Sequence, residues 1–476
     1  MADVTGSRLA ARDGRASSLI ATRSGAVAWM LSSALMVLAL TIPALWNGFP
    51  LIFPDTGGYL TRPIEGTLEL GRSALYGLFL YAGIPFAFWP NVVVQAAMIV
   101  WLVVLSLRTL GRGHRPWLAL GITAALTVGT SLPWLTGLLL PDVLFPVAVL
   151  ALYLLAFRAD RLATWERVVL ACMIAFAIAS HMAAAGLCAA MIAALYLLTR
   201  IERLALPKPR LTFAACSVAA GIALCPISNW AITGSFALTP GGSSFLFGRL
   251  VEDGIVARYL DERCPDAALR LCAYKASLPD EADDWLWDPD SPFRKLGGWQ
   301  GLEGEQREII LATLARYPLM HATAAAADTM QQLISFQTEV SLANNEPTLE
   351  TFADRVPQLF PKLMGARQQN GRINVSALNL VHVPLAALAI AGLACALIFR
   401  RRLHVAPELN AFFLTVMLSL CINAAVCALL SHSVDRYQSR LVPLAVFAMA
   451  LLVADRWHAS VKQPRASPDA GELPGT

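Results

Sequence analysis

Long apolar runs separated by short polar connections occupy most of this chain. Runs of about 20 apolar residues have the length of a membrane-spanning helix, and hydropathy indicates ten such runs. They cover residues 25–46, 86–107, 117–135, 142–157, 167–180, 184–198, 211–232, 377–399, 412–430 and 441–454. The fifth and sixth runs are short and are joined by a tight bend at His181. The pattern predicts an all-α polytopic membrane protein.

Composition supports this prediction. Hydrophobic residues make up 57% of the chain and charged residues only 15%, whereas soluble domains carry about 25% charged residues.

The first run is too long for the core of a signal peptide and lacks a convincing small-residue cleavage site. We therefore expect a retained first helix that follows an N-terminal tail, residues 1–24.

Lys and Arg lie in alternate connections between the runs. The basic connections contain Arg23, Arg108, Arg158, Arg200, Arg400 and Arg456, each with further basic residues except Arg23, while the turns 133–141 and 181–183 contain no Lys or Arg. Because positive connections stay in the cytoplasm, we expect both termini there and the opposite face in the periplasm of a bacterium, with the protein in the inner membrane. The basic residues are scattered over helix ends, which gives no case for nucleic acid.

The outer face also receives the long segment 233–376, which lies between the first seven runs (25–232) and the last three (377–457). It is long enough for a small, mostly helical subdomain, with helical signals at 304–320 and 323–337 and a break at Pro318. The acidic, Trp-rich stretch 280–299 is predicted to be a loop. The polar tail 458–476 is predicted to be a disordered cytoplasmic segment.

Two of the nine cysteines, Cys264 and Cys272, lie in this outer segment, and the other seven fall within apolar runs. An isolated pair in an oxidising compartment suggests a disulfide. A metal site would need more ligands, and no histidine is nearby.

Two carboxylates lie at the predicted outer face. Asp55 is part of the turn sequence PDTGG after the first run, and Asp142 opens the fourth run. Each is a candidate general base or metal ligand, so a divalent metal stays open as a cofactor. The alternatives are that Asp55 closes a turn and that Asp142 caps a helix. For Asp55 the local sequence favours the turn. For Asp142 the cost of a carboxylate this close to hydrocarbon favours a function.

Further polar residues share that face. His181 is either functional or makes a hydrogen bond at the interface, and Asn229 is either functional or an interhelical contact. Arg436 and Arg440 are outer arginines that run against the charge bias. Binding of an anionic group such as phosphate explains them, and anchoring to ordinary lipid headgroups is the alternative.

Several short motifs follow one another in a fixed order. They are Asp55 with Tyr59, the run 72–80 (RSALYGLFL), Gln95, the run 141–145 (PDVLF), Asn229 with 234–239 (GSFALT), and Arg436-Tyr437 ahead of Pro443-Leu444. In this order the chain resembles the GT-C superfamily of integral-membrane glycosyltransferases, in particular the branch of protein O-mannosyltransferases and lipid A aminoarabinose transferases. The resemblance covers about residues 25–240 and 378–454 and omits most of the outer segment.

The resemblance implies a GT-C-like helix bundle and an inverting transfer from a polyprenyl-phosphate sugar to a lipid, glycan or protein acceptor. Asp55 would take the acceptor proton, and Asp142 would orient the acceptor or hold a metal. Arg436 and Arg440 would stabilise the leaving phosphate, with Arg72 as a further candidate. The other substrate-binding candidates are Tyr59, Arg72, Tyr76, His181, Asn229, Arg436, Tyr437 and Arg440.

The chain departs from the family pattern in three places. The prolines of the family's Arg-x-Pro-x-Tyr-Pro run are absent, Asp142 replaces a Glu, and His181 stands where Arg or Lys is common. These departures leave the sugar and any metal undetermined. A lipid-linked-sugar transporter or flippase would need inverted repeats and charges in mid-membrane, and a non-catalytic membrane scaffold is the third interpretation.

Overall fold

The computed structural model describes residues 4–66, 71–113, 115–204, 206–266, 268–339 and 346–462, and it is built from helices. Within these ranges the only bridge between extended segments joins Leu51 to Leu138. The first half contains α1 (Val4–Asn47), α2 (Pro54–Glu65), α3 (Ala74–Gly83), α4 (Trp89–Leu107), α5 (Pro116–Gly129), α6 (Leu132–Gly137), α7 (Leu144–Phe157), α8 (Thr164–Ser180), α9 (Ala183–Leu198) and α10 (Leu211–Thr233).

The second half begins with short helices and ends with three longer membrane-type helices. It contains α11 (Gly242–Glu252), α12 (Ile255–Arg263), α13 (Ala282–Trp287), α14 (Pro292–Lys295), α15 (Gly298–Gly301), α16 (Glu303–Arg316), α17 (Pro318–Ile334), α18 (Glu346–Arg355), α19 (Phe360–Met364), α20 (Val375–Ile398), α21 (Pro407–Leu430), α22 (Asp435–Ser439) and α23 (Val442–Lys462).

Six segments of the described chain are long and apolar enough to cross a membrane. They are Gly25–Asn47, Trp89–Arg112, Leu211–Thr233, Val375–Ile398, Pro407–Leu430 and Asp435–Arg456. The protein is therefore a multi-pass, all-α membrane protein. Four shorter apolar segments accompany them: Ala74–Phe86, Pro116–Gly129, Pro141–Phe157 and Ala183–Leu198.

Each of the ten predicted runs falls on a helix, although several helices are shorter than the run. The third run breaks because α5 ends at Gly129 and Thr130 is extended, with φ −142° and ψ 168°. The bend at His181 is confirmed, since α8 ends at Ser180 and His181 is extended, with φ −153°. The first run has no helix boundary at residue 25, because α1 begins at Val4.

Helix α7 is the centre of the bundle. Every residue from Leu144 to Phe157 is buried, as expected for a helix that is apolar on all sides. Asp142 precedes this helix and Arg158 follows it, so the two polar groups mark its opposite ends.

The basic connections gather at the Arg158 end of α7. Ion pairs join Arg108 to Glu166, Arg112 to Asp455 and Arg158 to Glu408. The connections that the charge pattern assigns to the cytoplasm thus lie at one end of the bundle, while the candidate site residues lie at the other.

We predict that both termini face the cytoplasm, because the basic end of the bundle is the end that stays inside. Alkaline phosphatase fused after Trp457 should be inactive, and green fluorescent protein fused there should fluoresce. A matched fusion in the outer segment, after Asp290, should give the reverse pattern. An active phosphatase at the C-terminus would contradict this topology.

Helices α2 and α3 replace the loop that the sequence suggested around Asp55. Pro54 occupies the first helical position, which suits its fixed φ, and the Thr56 hydroxyl accepts a hydrogen bond from the Phe53 N–H at 2.9 Å. Ser73 caps α3 by accepting from the Tyr76 N–H. Asp55 therefore lies in the first turn of a helix, and its assignment to a flexible exposed turn was wrong.

The outer segment has a core of its own, formed by α11 to α16 around Phe247, Trp285 and Phe293. Cys264 and Cys272 form a disulfide with Cα atoms 5.6 Å apart, as predicted. The break before Pro318 is also confirmed. The predicted loop 280–299 was wrong, because it contains α13, α14 and part of α15, and Trp285 is fully buried.

Residues 346–373 do not belong to that outer core. Helix α18 packs against α2, where the Gly57 N–H donates to the Thr348 hydroxyl at 3.3 Å. A Cβ atom at Gly57 would lie 2.8 Å from that hydroxyl oxygen, so this close approach requires glycine. The outer subdomain is consequently shorter than the predicted 233–376. Helix α23 extends to Lys462, so disorder from 458 was wrong up to that residue, and 463–476 lie outside the described residues.

Candidate active site

A cavity of about 1730 Å³ lies between the site end of the bundle and the outer subdomain. Its wall contains eight of the ten residues singled out in the sequence: Asp55, Tyr59, Arg72, His181, Asn229, Arg436, Tyr437 and Arg440. Residues separated by almost 390 positions in the chain thus share one space. Tyr76 and Asp142 are not part of this wall.

Asp55 is held between two arginines. Its Oδ1 lies 2.6 Å from Arg72 Nη2, and its Oδ2 lies 3.3 Å from Arg436 Nη1. Burial raises the pKa of this carboxyl, but Arg72 and Arg436 together outweigh burial, so the pKa lies below the usual value. Asp55 is therefore ionised and strongly paired in this state.

Asp142 lies directly behind the cavity wall. Its side chain is only 3% exposed, and its Oδ1 accepts a hydrogen bond from Arg440 Nη1 at 3.1 Å. Its Oδ2 lies 3.8 Å from Arg436 Nη1. The two aspartates are thus joined through Arg436, but only Asp55 lines the cavity, because the arginines lie between Asp142 and the open space.

Arg436 and Arg440 both belong to the cavity wall, where the Arg436 side chain is 12% exposed and Arg440 is fully buried. They lie four residues apart, on α22 and at its C-terminal end, where one face of a helical turn presents both. The guanidinium carbon of Arg436 lies 4.3 Å from the centre of the Phe53 ring, and that of Arg440 lies 3.3 Å from the Phe145 ring. These contacts fix the orientation of both cations.

Asn423 on α21 positions this turn. Its side-chain nitrogen donates to the backbone oxygen of Tyr437 at 2.7 Å, and its Oδ1 accepts from Arg440 Nη2 at 3.0 Å. Asn423 is 1% exposed and was missed in the sequence, because a single Asn inside an apolar run gives no sign of its partner.

Tyr59 and Tyr76 have different roles. Tyr59 is in the cavity wall, and burial raises the pKa of its hydroxyl. Tyr76 is fully buried and donates its hydroxyl hydrogen to Gln95 Oε1 at 2.9 Å. Gln95 in turn donates to the backbone oxygens of Thr136 and Leu138. The assignment of Tyr76 as substrate-binding is therefore corrected to a group that fixes α3 against the bundle.

Arg62 is a site residue that the sequence did not reveal. It is fully buried, and its Nη1 donates to Asn229 Oδ1 at 3.1 Å and to the backbone oxygen of Arg72. The side-chain nitrogen of Asn229 donates a hydrogen bond to the backbone oxygen of Ala237. The spacing of Asp55, Tyr59 and Arg62 places them on one helix face, a signal hidden once the stretch was interpreted as a loop.

His181 is neutral at physiological pH. Burial and then Arg440 lower its pKa to about 3. Its Nδ1 accepts a hydrogen bond from the Ala183 N–H at 3.3 Å, and its ring lies 5.2 Å from the Phe145 ring. It can therefore act as a hydrogen-bonding group but not as a cation.

Glu339 is a further carboxyl in the cavity wall. Glu339 is exposed, yet desolvation by the surrounding groups raises its pKa, the opposite of the result for Asp55. No motif in the sequence pointed to it.

The donor set does not fit a divalent cation. In the part of the chain that the structure describes, no group of three or more His, Cys, Asp or Glu side chains is arranged to hold a metal. Asp55 and Asp142 both face guanidinium groups, which would repel a cation.

Comparison of the chain with protein-family models, with curated proteins and with solved structures found no match.

Proposed function

We propose that this protein is an inverting glycosyltransferase that moves a sugar from a polyprenyl-phosphate donor to an acceptor at the periplasmic face of a bacterial inner membrane. The observation that carries the proposal is the ion-pair network at the cavity wall. It contains three guanidinium groups, Arg72, Arg436 and Arg440, and two carboxylates, Asp55 and Asp142. The excess of planar cations suits a phosphate, which guanidinium groups bind through paired hydrogen bonds.

The position of the cavity supports a lipid-linked donor. Its wall includes Met182 and Ala183 at the start of α9, and Val426 and Leu430 near the end of α21. These apolar side chains lie at the ends of membrane-type helices, where an isoprenoid chain would enter while its phosphate reaches the arginines. The sequence contains no glycine-rich nucleotide-binding loop, such as a nucleotide-sugar donor would suggest.

The proposed reaction is a single displacement. The Asp55 carboxylate takes the proton of the acceptor hydroxyl, and the acceptor oxygen forms a bond to the anomeric carbon. The bond between that carbon and the phosphate oxygen breaks, and polyprenyl phosphate leaves with the electron pair. Arg72 and Arg436 stabilise the negative charge that grows on the phosphate.

Donor binding would also prepare the base. Arg72 and Arg436 lower the pKa of Asp55 against the effect of burial. When the donor phosphate draws these guanidinium groups away, burial remains and the pKa of Asp55 rises. A higher pKa makes the carboxylate a better proton acceptor near neutral pH.

Replacement of Arg436 tests the phosphate assignment. Arg436→Ala should reduce sugar transfer roughly 100-fold or more, the usual effect of losing a group that stabilises developing charge. Arg436→Lys should retain more activity, because it keeps the charge but loses the paired hydrogen bonds. The assay follows a radiolabelled sugar from polyprenyl phosphate into acceptor in membranes.

Arg372→Ala is the matched control, because Arg372 is exposed and lies outside the cavity wall. It should leave transfer unchanged. Full transfer by Arg436→Ala would rule out the phosphate assignment. Movement of intact donor across the bilayer, with no loss of sugar from the lipid, would instead identify a flippase.

A further inference from the structure

The outer wall of the cavity carries an aromatic cluster that the proposed reaction does not use. Phe245, Trp287 and Trp299 all reach the cavity, with ring centres 6.2 Å (Phe245–Trp287), 5.4 Å (Phe245–Trp299) and 5.9 Å (Trp287–Trp299) apart. Trp287 is 42% exposed, whereas Trp285 on the same helix is fully buried in the subdomain core. Burial of Trp287 is therefore incomplete, and its free surface faces the cavity.

This aromatic cluster adjoins the ion-pair network. The guanidinium carbon of Arg72 lies 5.9 Å from the centre of the Trp287 ring, while Arg72 Nη2 contacts Asp55 at 2.6 Å. Gly71 has φ +77°, and a Cβ atom there would lie 2.9 Å from the Phe245 ring. The aromatic cluster thus fixes the segment that carries Arg72, and one residue separates the Trp287 face from the carboxylate.

Polar groups of both kinds accompany the aromatic cluster in the same cavity. Asp284 and Asp288 supply hydrogen-bond acceptors, and Arg294 and Arg307 supply donors. Carboxylates accept only and guanidinium groups donate only, whereas a sugar hydroxyl does both. A neutral polyhydroxyl ligand would satisfy such a mixed set better than a charged ligand of either sign.

We infer that the Trp287 surface is a binding subsite for a neutral pyranose ring, and that the acceptor is a glycan. The face of an aromatic ring is negative, and the C–H face of a pyranose carries the complementary partial charge. That this sugar belongs to the acceptor rests on the proposed function, because only Arg72 lies between Trp287 and the Asp55 carboxylate.

The test is binding of immobilised neutral hexose oligosaccharides to the full-length protein in nanodiscs, with unglycosylated peptides and phospholipid as further probes. Wild type should retain at least one oligosaccharide, and Trp287→Ala should weaken that binding about tenfold or more. Trp287→Leu keeps the bulk but lacks the ring, so it should lose as much. Trp287→Phe should restore most of the affinity.

Trp117→Ala is the matched control, because Trp117 is 59% exposed on α5 and is not part of the cavity wall. It should bind oligosaccharide like wild type, and Trp287→Phe, which keeps an aromatic ring against Arg72, should also bind a polyprenyl phosphate like wild type. The inference would be overturned if wild type retained no oligosaccharide, or if it retained peptides or phospholipid instead. It would also be overturned if both Trp287→Ala and Trp287→Leu bound oligosaccharide with wild-type affinity.

The experiment also separates this inference from the proposed function. Oligosaccharide binding needs no donor, so a protein that binds glycan through Trp287 but never releases sugar from polyprenyl phosphate would defeat the glycosyltransferase proposal alone. A protein that consumes the donor but does not bind oligosaccharide would defeat the acceptor subsite alone.

Discussion

Asp55→Asn should reduce sugar transfer by about 100- to 10,000-fold, the range typical for loss of a general base. Asparagine keeps the size of the side chain but can no longer take the acceptor proton. Binding of the polyprenyl-phosphate donor should persist, because Arg72 and Arg436 are intact. The measurement is initial-rate transfer from radiolabelled donor, with donor binding followed separately.

The pH dependence of sugar transfer is a second test of the prediction that Asp55 is the general base. Because Arg72 and Arg436 hold the pKa of Asp55 below its usual value, kcat/KM should keep its neutral-pH value down to about pH 5. In the donor-bound state at least one of the two arginines turns to the phosphate, so burial has more effect on the pKa of Asp55 and the acid limb of kcat should lie at higher pH. Activity in both cases is lost as the pH falls and the carboxylate is protonated.

Two matched variants make the Asp55 prediction specific. Asp290→Asn should behave like wild type, because that side chain is 90% exposed and outside the cavity wall. Glu339→Gln tests a second carboxyl of the cavity wall, whose pKa is raised by desolvation. Loss of transfer in Glu339→Gln together with full activity in Asp55→Asn would assign the base to Glu339 and contradict the account.

Arg440→Met should lower the free energy of unfolding by about 3–5 kcal/mol, the usual effect of removing one partner of a buried ion pair. Arg440 is fully buried and donates to Asp142, Asn423 and Cys427. Its loss would leave the Asp142 carboxylate with only the more distant Arg436. The measurement is SDS-induced unfolding monitored by tryptophan fluorescence.

Combining Arg440→Met with Asp142→Asn should recover much of the lost stability, since the unpaired charge is then absent. In the proposed mechanism Asp142 is a positioning residue that holds Arg440 and Arg436, rather than a group that touches substrate. A stable Arg440→Met protein would contradict this role. A folded Asp142→Asn protein with wild-type placement of both arginines and no transfer would point to direct catalysis by Asp142.

The membrane helices could be predicted because a long apolar run determines its own structure in a bilayer. The short helices around the site could not. Residues 54–65 carry Pro, Gly and Asp, which are typical of turns, yet Pro54 starts a helix and α18 packs against it at Gly57. That contact with a residue almost 300 positions away is absent from local sequence.

The residues of the candidate site could also be predicted only in part from local sequence. Eight of the ten residues singled out in the sequence share one cavity wall. Local sequence could not distinguish a residue in that wall from one behind it. Asp142 and Tyr76 both accompany site residues in the chain, and both lie outside the wall because Arg440 and Gln95 engage them. Asn423 and Glu339 depend on packing between distant elements, and no local pattern indicates them.

The most direct test of the central claim is an experimental structure of the protein in nanodiscs with a bound polyprenyl phosphate. The account predicts the phosphate within about 4 Å of the Arg72 and Arg436 guanidinium groups, where charge-assisted hydrogen bonds form, and the Asp55 carboxylate released from at least one of them. A phosphate bound elsewhere on the protein, with both Asp55 ion pairs intact, would contradict it.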